Sequence, residues 1–411
     1  QDIQLDLARS GKYRFLRTAP IQFSPVDPHI LYLASQILLK TADGGKSWAE
    51  ISPDLTRKSY QIPESFGIFT NYDPDAAKHK GVIYSLGLSK LDVNLIWAGT
   101  DDGLIHITLD GGKTWKDITP KSLTPWSKVS ILEASHSDRN EAYAAINRFR
   151  LSDTAPHIYR TRNAGKTWTE IVTGLPGNEV VNSIKEDPIK KGLLFCGTER
   201  SVYVSFNDGD NWQPLRLNLP GTSVRDLVIH EDDLVIGTHG RGFWILDNMS
   251  PLRQLSASVS SKNIALFKPQ MATRVRWNRN TDTPLPPDEP TSLNPPDGAV
   301  FDYYLKSDQK QSVTLEIFDS KERLVRKYTS EDKPDPVNPE LNVPTYWIRP
   351  FAPLMASAGV HRFVWDMHYT RAAGSGSDYP IAATYMNTAG EPHGPWVAPG
   401  RYTAKLTANG E

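Results

Sequence analysis

Four copies of one short string constrain what this chain can fold into: TADGGKSW at 41–48, TLDGGKTW at 108–115, TRNAGKTW at 161–168 and SFNDGDNW at 205–212. Each opens on a hydroxyl residue, places Asp or Asn two positions on and Gly two further, and ends on Trp. A short Asp or Asn side chain bonds amides ahead of it and Gly accepts positive φ, so the string is a tight reversal with an indole laid over it. Asp43, Asp110, Asn163 and Asn207, with Trp48, Trp115, Trp168 and Trp212, are therefore expected to be structural, the four indoles largely buried.

The copies recur at intervals that shrink from about 67 to about 44 residues, against roughly 40 to 50 for a four-stranded propeller blade. Longer intervals carry visible insertions, RKSYQIPESFGIFTNYDPDAAKHK at 57–80 and RLSDTAPH at 150–157. A second element recurs between the turns and beyond the last of them, an apolar run closing on Gly-Thr: LIWAGT at 95–100, LLFCGT at 193–198 and LVIGT at 234–238. One unit then reads strand A (GVIYSLGLS), strand B (LIWAGT), a DDG turn, strand C (LIHITLD), the Asp turn and strand D (TWKDI), a four-stranded meander. The fold class is all-β: a propeller with four complete units and a fifth, SVRDLVIH to GFWILD, that has neither an Asp turn nor a fourth strand. The segment DIQLDLA at 2–8 is a candidate clasp for that unit; the preferred expectation is that the chain is part of a larger propeller, with the remaining N-terminal part of a longer protein as its partner.

The Asp-turn pattern stops beyond Leu255. Residues 1–255 are assigned to the propeller and 256–298 to a connection with the Pro-rich stretch TPLPPDEPTSLNPPDG. Residues 299–411 are assigned to an immunoglobulin- or fibronectin-like β-sandwich, because SVTLEIFD, HRFVWDM and RYTAKLT alternate with Val313, Leu315, Ile317, Phe363, Trp365, Tyr402, Ala404 and Leu406 on one face.

Composition narrows the function. In 411 residues the formal net charge is −1, and no run of like charge marks a nucleic-acid arm, so no nucleic-acid partner is expected. No apolar stretch is long enough to span a membrane, and the first residues given lack the apolar core of a signal peptide. The single cysteine, Cys196, sits in an apolar run and reads as a buried, inert thiol. No metal-ligand spacing and no Gly-rich phosphate loop occur, so neither metal nor cofactor is expected.

The four turn strings resemble Asp-box (BNR) repeats of the form S/T-x-D-x-G-x-x-W, found in sialidases, sortilin-type receptors, xyloglucanase-type glycoside hydrolases and photosystem assembly factors. FSPVDPHILYLASQILLKTADGGKSWAEISPDLT, GTHGRGFWILDNMSPLRQL and HRFVWDMHYTRA further resemble bacterial Asp-box propeller proteins of sortilin-like or glycosyl-hydrolase type with a C-terminal immunoglobulin-like module. That resemblance implies a location outside the cytoplasm, secreted, periplasmic or at the cell surface.

In a meander the B–C turns share one face and the Asp turns lie on the other, so chemistry is sought on the B–C turns. These carry Asp101 and Asp102 in GTDDG, Glu199 and Arg200 in GTERS, and His239 and Arg241 in GTHGRG, residue types that bind sugar hydroxyls or an acidic peptide end. Among aromatics, Trp97 and Trp244 fall in strand patterns and read as core, leaving Trp126 as a platform. The Arg-Ile-Pro start of sialidases is missing, the nearest string being QIP at 61–63. The sequence thus favours a non-catalytic propeller that presents a surface to a peptide, protein or glycan ligand. The alternative is part of a glycoside hydrolase whose second carboxylate comes from elsewhere.

Overall fold

The computed structural model describes residues 9–58, 63–65, 81–275, 295–334, 340–341, 343–348, 351–375, 379 and 393–410. The clasp candidate at 2–8, most of the 57–80 insertion and most of the Pro-rich stretch lie outside these residues. Contacts divide the chain into two compact units, Gln1–Leu246 and Asp247–Glu411, whereas the sequence reading set the propeller's end at residue 255.

The first unit is a row of antiparallel meanders. The first holds Ile21–Phe23 (β1), Leu31–Ala34 (β2), Leu38–Thr41 (β3) and Ala49–Glu50 (β4); the second Ile83–Leu88 (β5), Ile96–Thr100 (β6), Ile105–Thr108 (β7) and Lys116–Asp117 (β8). The third holds Lys128–Ala134 (β9), Ala142–Asn147 (β10), Ile158–Thr161 (β11) and Thr169–Glu170 (β12); the fourth Val181–Glu186 (β13), Leu194–Thr198 (β14), Val202–Ser205 (β15) and Gln213–Pro214 (β16). The fifth sheet has Ser223–His230 (β17), Asp233–His239 (β18) and Phe243–Leu246 (β19).

Successive meanders stack face to face, each pair around its own core. Tyr32 and Leu38 of the first meet Ile83 and Ile96 of the second; Trp97 and Ile107 meet Val129 and Leu132 of the third; Tyr143 and Ile158 meet Ile184 and Cys196 of the fourth. First strands line a common cavity, as in β-propellers. Strands β2, β6, β10 and β14 are buried along their whole length, which explains their near-continuous apolar runs. Cys196 is fully buried, and burial pushes its thiol well above the ordinary range.

The Gly-Thr element acquires a packing reason. Strand A carries a one-residue bulge at the same place in four meanders, at Tyr84, Ser130, Asn182 and Arg225. Gly99 and Gly197 lie beside it on strand B, where a Cβ would clash with Val129 and the Ser85 hydroxyl, or with Val224 and the Ser183 hydroxyl. The next meander's first strand thus packs directly onto glycine backbone.

The repeated turns form one hydrogen-bond pattern. Thr41 Oγ1 donates to Asp43 Oδ1 at 2.8 Å and accepts from Gly45 N–H at 3.0 Å, while the Ser47 N–H and hydroxyl reach Asp43 at 3.0 and 2.6 Å. Asp110 repeats this with Thr108 and Thr114, Asn163 with Thr161 and Thr167, and Asn207 with Ser205 and Asn211. Only one of the four indoles meets the expectation of burial. Trp212 is 2% exposed, while Trp48, Trp115 and Trp168 are half-buried. The fourth strands beside all four indoles are two residues long and exposed, so they give little cover. Trp212 belongs to a core against which Val172 and Leu175 also pack, and its backbone N–H donates to the Thr173 carbonyl at 2.9 Å.

In the second unit, Ile264–Leu266 (β20), Ala299–Leu305 (β21) and Gly359–Trp365 (β24) form one antiparallel sheet; Thr314–Phe318 (β22), Leu324–Thr329 (β23) and Thr403–Thr407 (β25) form another. Phe301, Tyr303, Leu315, Ile317, Phe363 and Trp365 belong to one shared core.

Candidate functional site

Each Gly-Thr threonine ties down the turn that follows. Thr100 Oγ1 accepts from Leu104 N–H at 2.8 Å, Thr198 Oγ1 from Ser201 N–H at 3.0 Å, and Thr238 Oγ1 from Arg241 N–H at 3.1 Å. The six residues expected from sequence sit on these turns, in three different settings.

Asp101 and Asp102 are buried, at 7% and 1% exposure. Asp102 accepts from the Thr100 hydroxyl at 2.5 Å and the Arg57 N–H at 2.9 Å, and its carbonyl accepts from Arg57 Nε and the Trp126 N–H. Burial raises its carboxyl pKa against the opposing pull of Thr100 and Arg57. Asp101 accepts from Val82 N–H at 2.9 Å and faces Arg150 Nη1 at 3.4 Å. Glu199 is half-buried, accepting from Asn182 Nδ2 at 3.0 Å and pairing with Arg225 Nη1 at 3.3 Å. Arg200, His239 and Arg241 are exposed. Gly240 and Gly242 have φ of 94° and 67° with open space around them, so the loop needs them for backbone conformation, not for close approach.

The carboxylates thus position cations that sequence reasoning missed. Arg150, held by Asp101, lies 6.0 Å from the Trp126 ring, and Trp126 sits at φ 68°, a strained conformation for a bulky residue. Lys128 rests over Tyr84 at 4.6 Å. Its backbone pairs with Asn147, whose amide donates to Asn182 at 2.8 Å, and Asn182 leads on to Glu199 and Arg225. Burial lowers the Lys128 pKa, and Arg150 and Arg225 lower it further. Of the other aromatics, Trp97 is fully buried, and Trp244 is half-buried beside an apolar groove lined by Leu217, Leu219 and Ile236.

Between the first strands is a cavity of about 400 Å³, lined by Phe23, Tyr84, Leu86, Lys90, Glu133 and Lys185 among others, and by no residue of the four Asp turns. Glu133 Oε2 pairs with Lys185 Nζ at 2.6 Å and Oε1 with His136 Nε2 at 3.0 Å. Burial acts to raise the Glu133 carboxyl, but Lys185 and His136 outweigh it and hold it below the usual carboxylate range. Burial likewise acts to lower the Lys185 ammonium, and Glu133 outweighs it, so both partners stay charged. The signal for this cluster was the charged residues within first strands, Glu133 in KVSILEA and Lys185 in VNSIKE. Among the described residues no group of three or more His, Cys, Asp or Glu is placed to hold a metal ion, and no helix is long and apolar enough to cross a membrane.

No family model matches the sequence, and no curated protein matches it. Similar solved structures include the GH74 xyloglucanase from Xanthomonas campestris, at 16% identity and TM-score 0.41 over 56% of this chain and 36% of that one. The Niastella koreensis GH74 enzyme has 17% identity and TM-score 0.39, covering 56% and 36%. YCF48 bound to D1 peptide has 18% identity and TM-score 0.37, covering 64% and 83%. The chain spans about a third of the length of the two GH74 proteins. The likeness is too low to place any of their residues on this chain.

Proposed function

We propose that the chain is a non-catalytic ligand-binding propeller of the Asp-box, sortilin-like kind, with its second unit an immunoglobulin-like β-sandwich. Its B–C rim presents Lys128, Arg150, Arg225, Arg200, His239 and Arg241, with Trp126, to an acidic segment of a peptide, protein or glycan.

One observation carries this reading. The two rim acids best placed to act on a bound molecule, Asp101 and Glu199, are each occupied by a guanidinium, and Asp102 is buried with both oxygens engaged. Hydrolysis of a glycosidic bond needs two available carboxyl groups, roughly 6.5–9.5 Å apart for inversion. Carboxylates that orient cations instead build an anion-recognising surface. A site outside the cytoplasm rests on the family resemblance alone. The exposure of Phe23 at 65% and Phe243 at 83% supports reading the chain as one portion of a larger propeller.

A peptide and glycan array on the purified chain tests the proposal, with a Lys128→Met, Arg225→Gln double variant alongside. Acidic ligands should bind the parent and lose most of that binding in the variant at unchanged melting temperature. Retention of neutral ligands alone, indifferent to the variant, would contradict it.

A further inference from the structure

None of the rim cations lines the first-strand cavity, whose charges form a row with two open ends. Lys90 Nζ approaches His136 Nδ1 at 3.4 Å, His136 Nε2 meets Glu133 at 3.0 Å, and Glu133 meets Lys185 at 2.6 Å. An ammonium donating to Nδ1 leaves the imidazole proton on Nε2, where it points at the carboxylate. Each inner member is therefore bonded on both sides. Asp226, next along the wall, raises the Lys185 pKa through its charge.

Lys90 and Asp226 close the row differently. Among the described residues no carboxylate lies within ion-pair distance of Lys90, and no cation within that distance of Asp226. Both side chains line the cavity, whose wall is mixed: apolar Phe23, Leu86, Leu88 and Val228 stand beside polar Thr18, Gln22, Tyr84 and Ser85. A volume of about 400 Å³ lies within the range of small-ligand sites.

We propose that this cavity binds a small zwitterion of the amino-acid or dipeptide class, its carboxylate on Lys90, its ammonium on Asp226 and its apolar side chain against Phe23 and Val228. A simple anion would complete only the Lys90 end and a simple amine only the Asp226 end. A ligand bearing both charges extends the alternation already present from Lys90 to Lys185. The inner pairs, Glu133 with Lys185 and with His136, hold the wall and need not contact the ligand.

The test is titration calorimetry of the full chain with leucine and glycyl-leucine, against 4-methylpentanoate, which lacks the ammonium, and 3-methylbutylamine, which lacks the carboxylate. Leucine or the dipeptide should bind at least about tenfold more tightly than either single-charge analogue. Lys90→Met and Asp226→Asn, both exposed and outside the apolar cores, should each weaken that binding about tenfold or more at unchanged melting temperature. Absence of binding by both zwitterions up to about 10 mM, or equal binding by 4-methylpentanoate, would overturn the proposal. So would binding that survives Lys90→Met but is lost in Lys128→Met, which would place the ligand on the rim.

Discussion

The indole N–H of Trp115 donates to the carbonyl of Ile51 at 2.8 Å, across the boundary between the first two meanders. Trp168 does the same to Ile118 at 2.7 Å, and Trp212 to Ile171 at 2.8 Å. Each accepting isoleucine stands three residues after the Trp of the preceding turn. The Asp turns are therefore links in a chain, each indole latching the fourth strand of the meander before it. The glycine of each turn presses on the same isoleucine: Gly112 on Ile51, Gly165 on Ile118 and Gly209 on Ile171.

Removing the latch hydrogen bond should cost about 1 kcal/mol per site. Urea unfolding of Trp115→Phe measures it. Trp212→Ala, at the one buried indole, should lose about 3 to 5 kcal/mol through its cavity. Equal losses for Trp115→Ala and Trp212→Ala would show that burial does not separate the two.

The glycine of the Gly-Thr element gives a contrast within one chain. Gly197→Ala should destabilise by about 1 to 3 kcal/mol, because its Cβ would clash with Val224 and Ser183. Gly237→Ala should be near neutral or stabilising, since the nearest atom to its Cβ is Asp226 at 3.7 Å. Thermal melts of the two variants decide this, and equal losses would contradict the packing account.

Two of the four turns titrate and two do not. The Ser47 hydroxyl and N–H and the Thr41 hydroxyl hold Asp43 well below the ordinary aspartate value. The equivalent groups of Thr114 and Thr108 hold Asp110 at about 2. A carboxyl depressed in the folded state adds stability that is fully present above its unfolded value and lost as pH falls through the folded one. The Asp43→Asn, Asp110→Asn double variant imitates the Asn163 and Asn207 turns. Its unfolding midpoint should therefore fall less than the parent's between about pH 4 and about pH 2. Parallel slopes would remove the turns from the acid response.

Glu133→Gln should cost roughly 3 kcal/mol, because it leaves Lys185 without its carboxylate. Adding Lys185→Met should recover part of that loss. A double-mutant cycle with no coupling would reduce the pair to a surface contact.

The meanders were legible because their signals are local: hydroxyl, Asp or Asn, Gly and Trp at fixed spacing, and apolar strands that end on Gly-Thr. Burial of the indoles was not, since it depends on a loop such as 172–175, which packs on the core of Trp212 and accepts its backbone N–H. The rim was half legible. Asp101 and Glu199 were found as turn residues, but the cations they hold lie elsewhere in sequence, Arg150 beyond the third meander's second strand and Arg225 in the fifth sheet. The cavity charges escaped for the same reason. Lys90, Glu133, Lys185 and Asp226 come from four meanders and meet only when the first strands converge.

The central claim is that rim carboxylates orient cations for binding and do not cleave. Its most direct measurement is product analysis on every oligosaccharide and acidic peptide that binds the purified chain, run beside a variant with Asp101, Asp102 and Glu199 replaced. The account predicts binding with no reducing ends released above that control, and loss of binding when His239 and Arg241 are both replaced by alanine at unchanged melting temperature. Reducing ends above the control would contradict it.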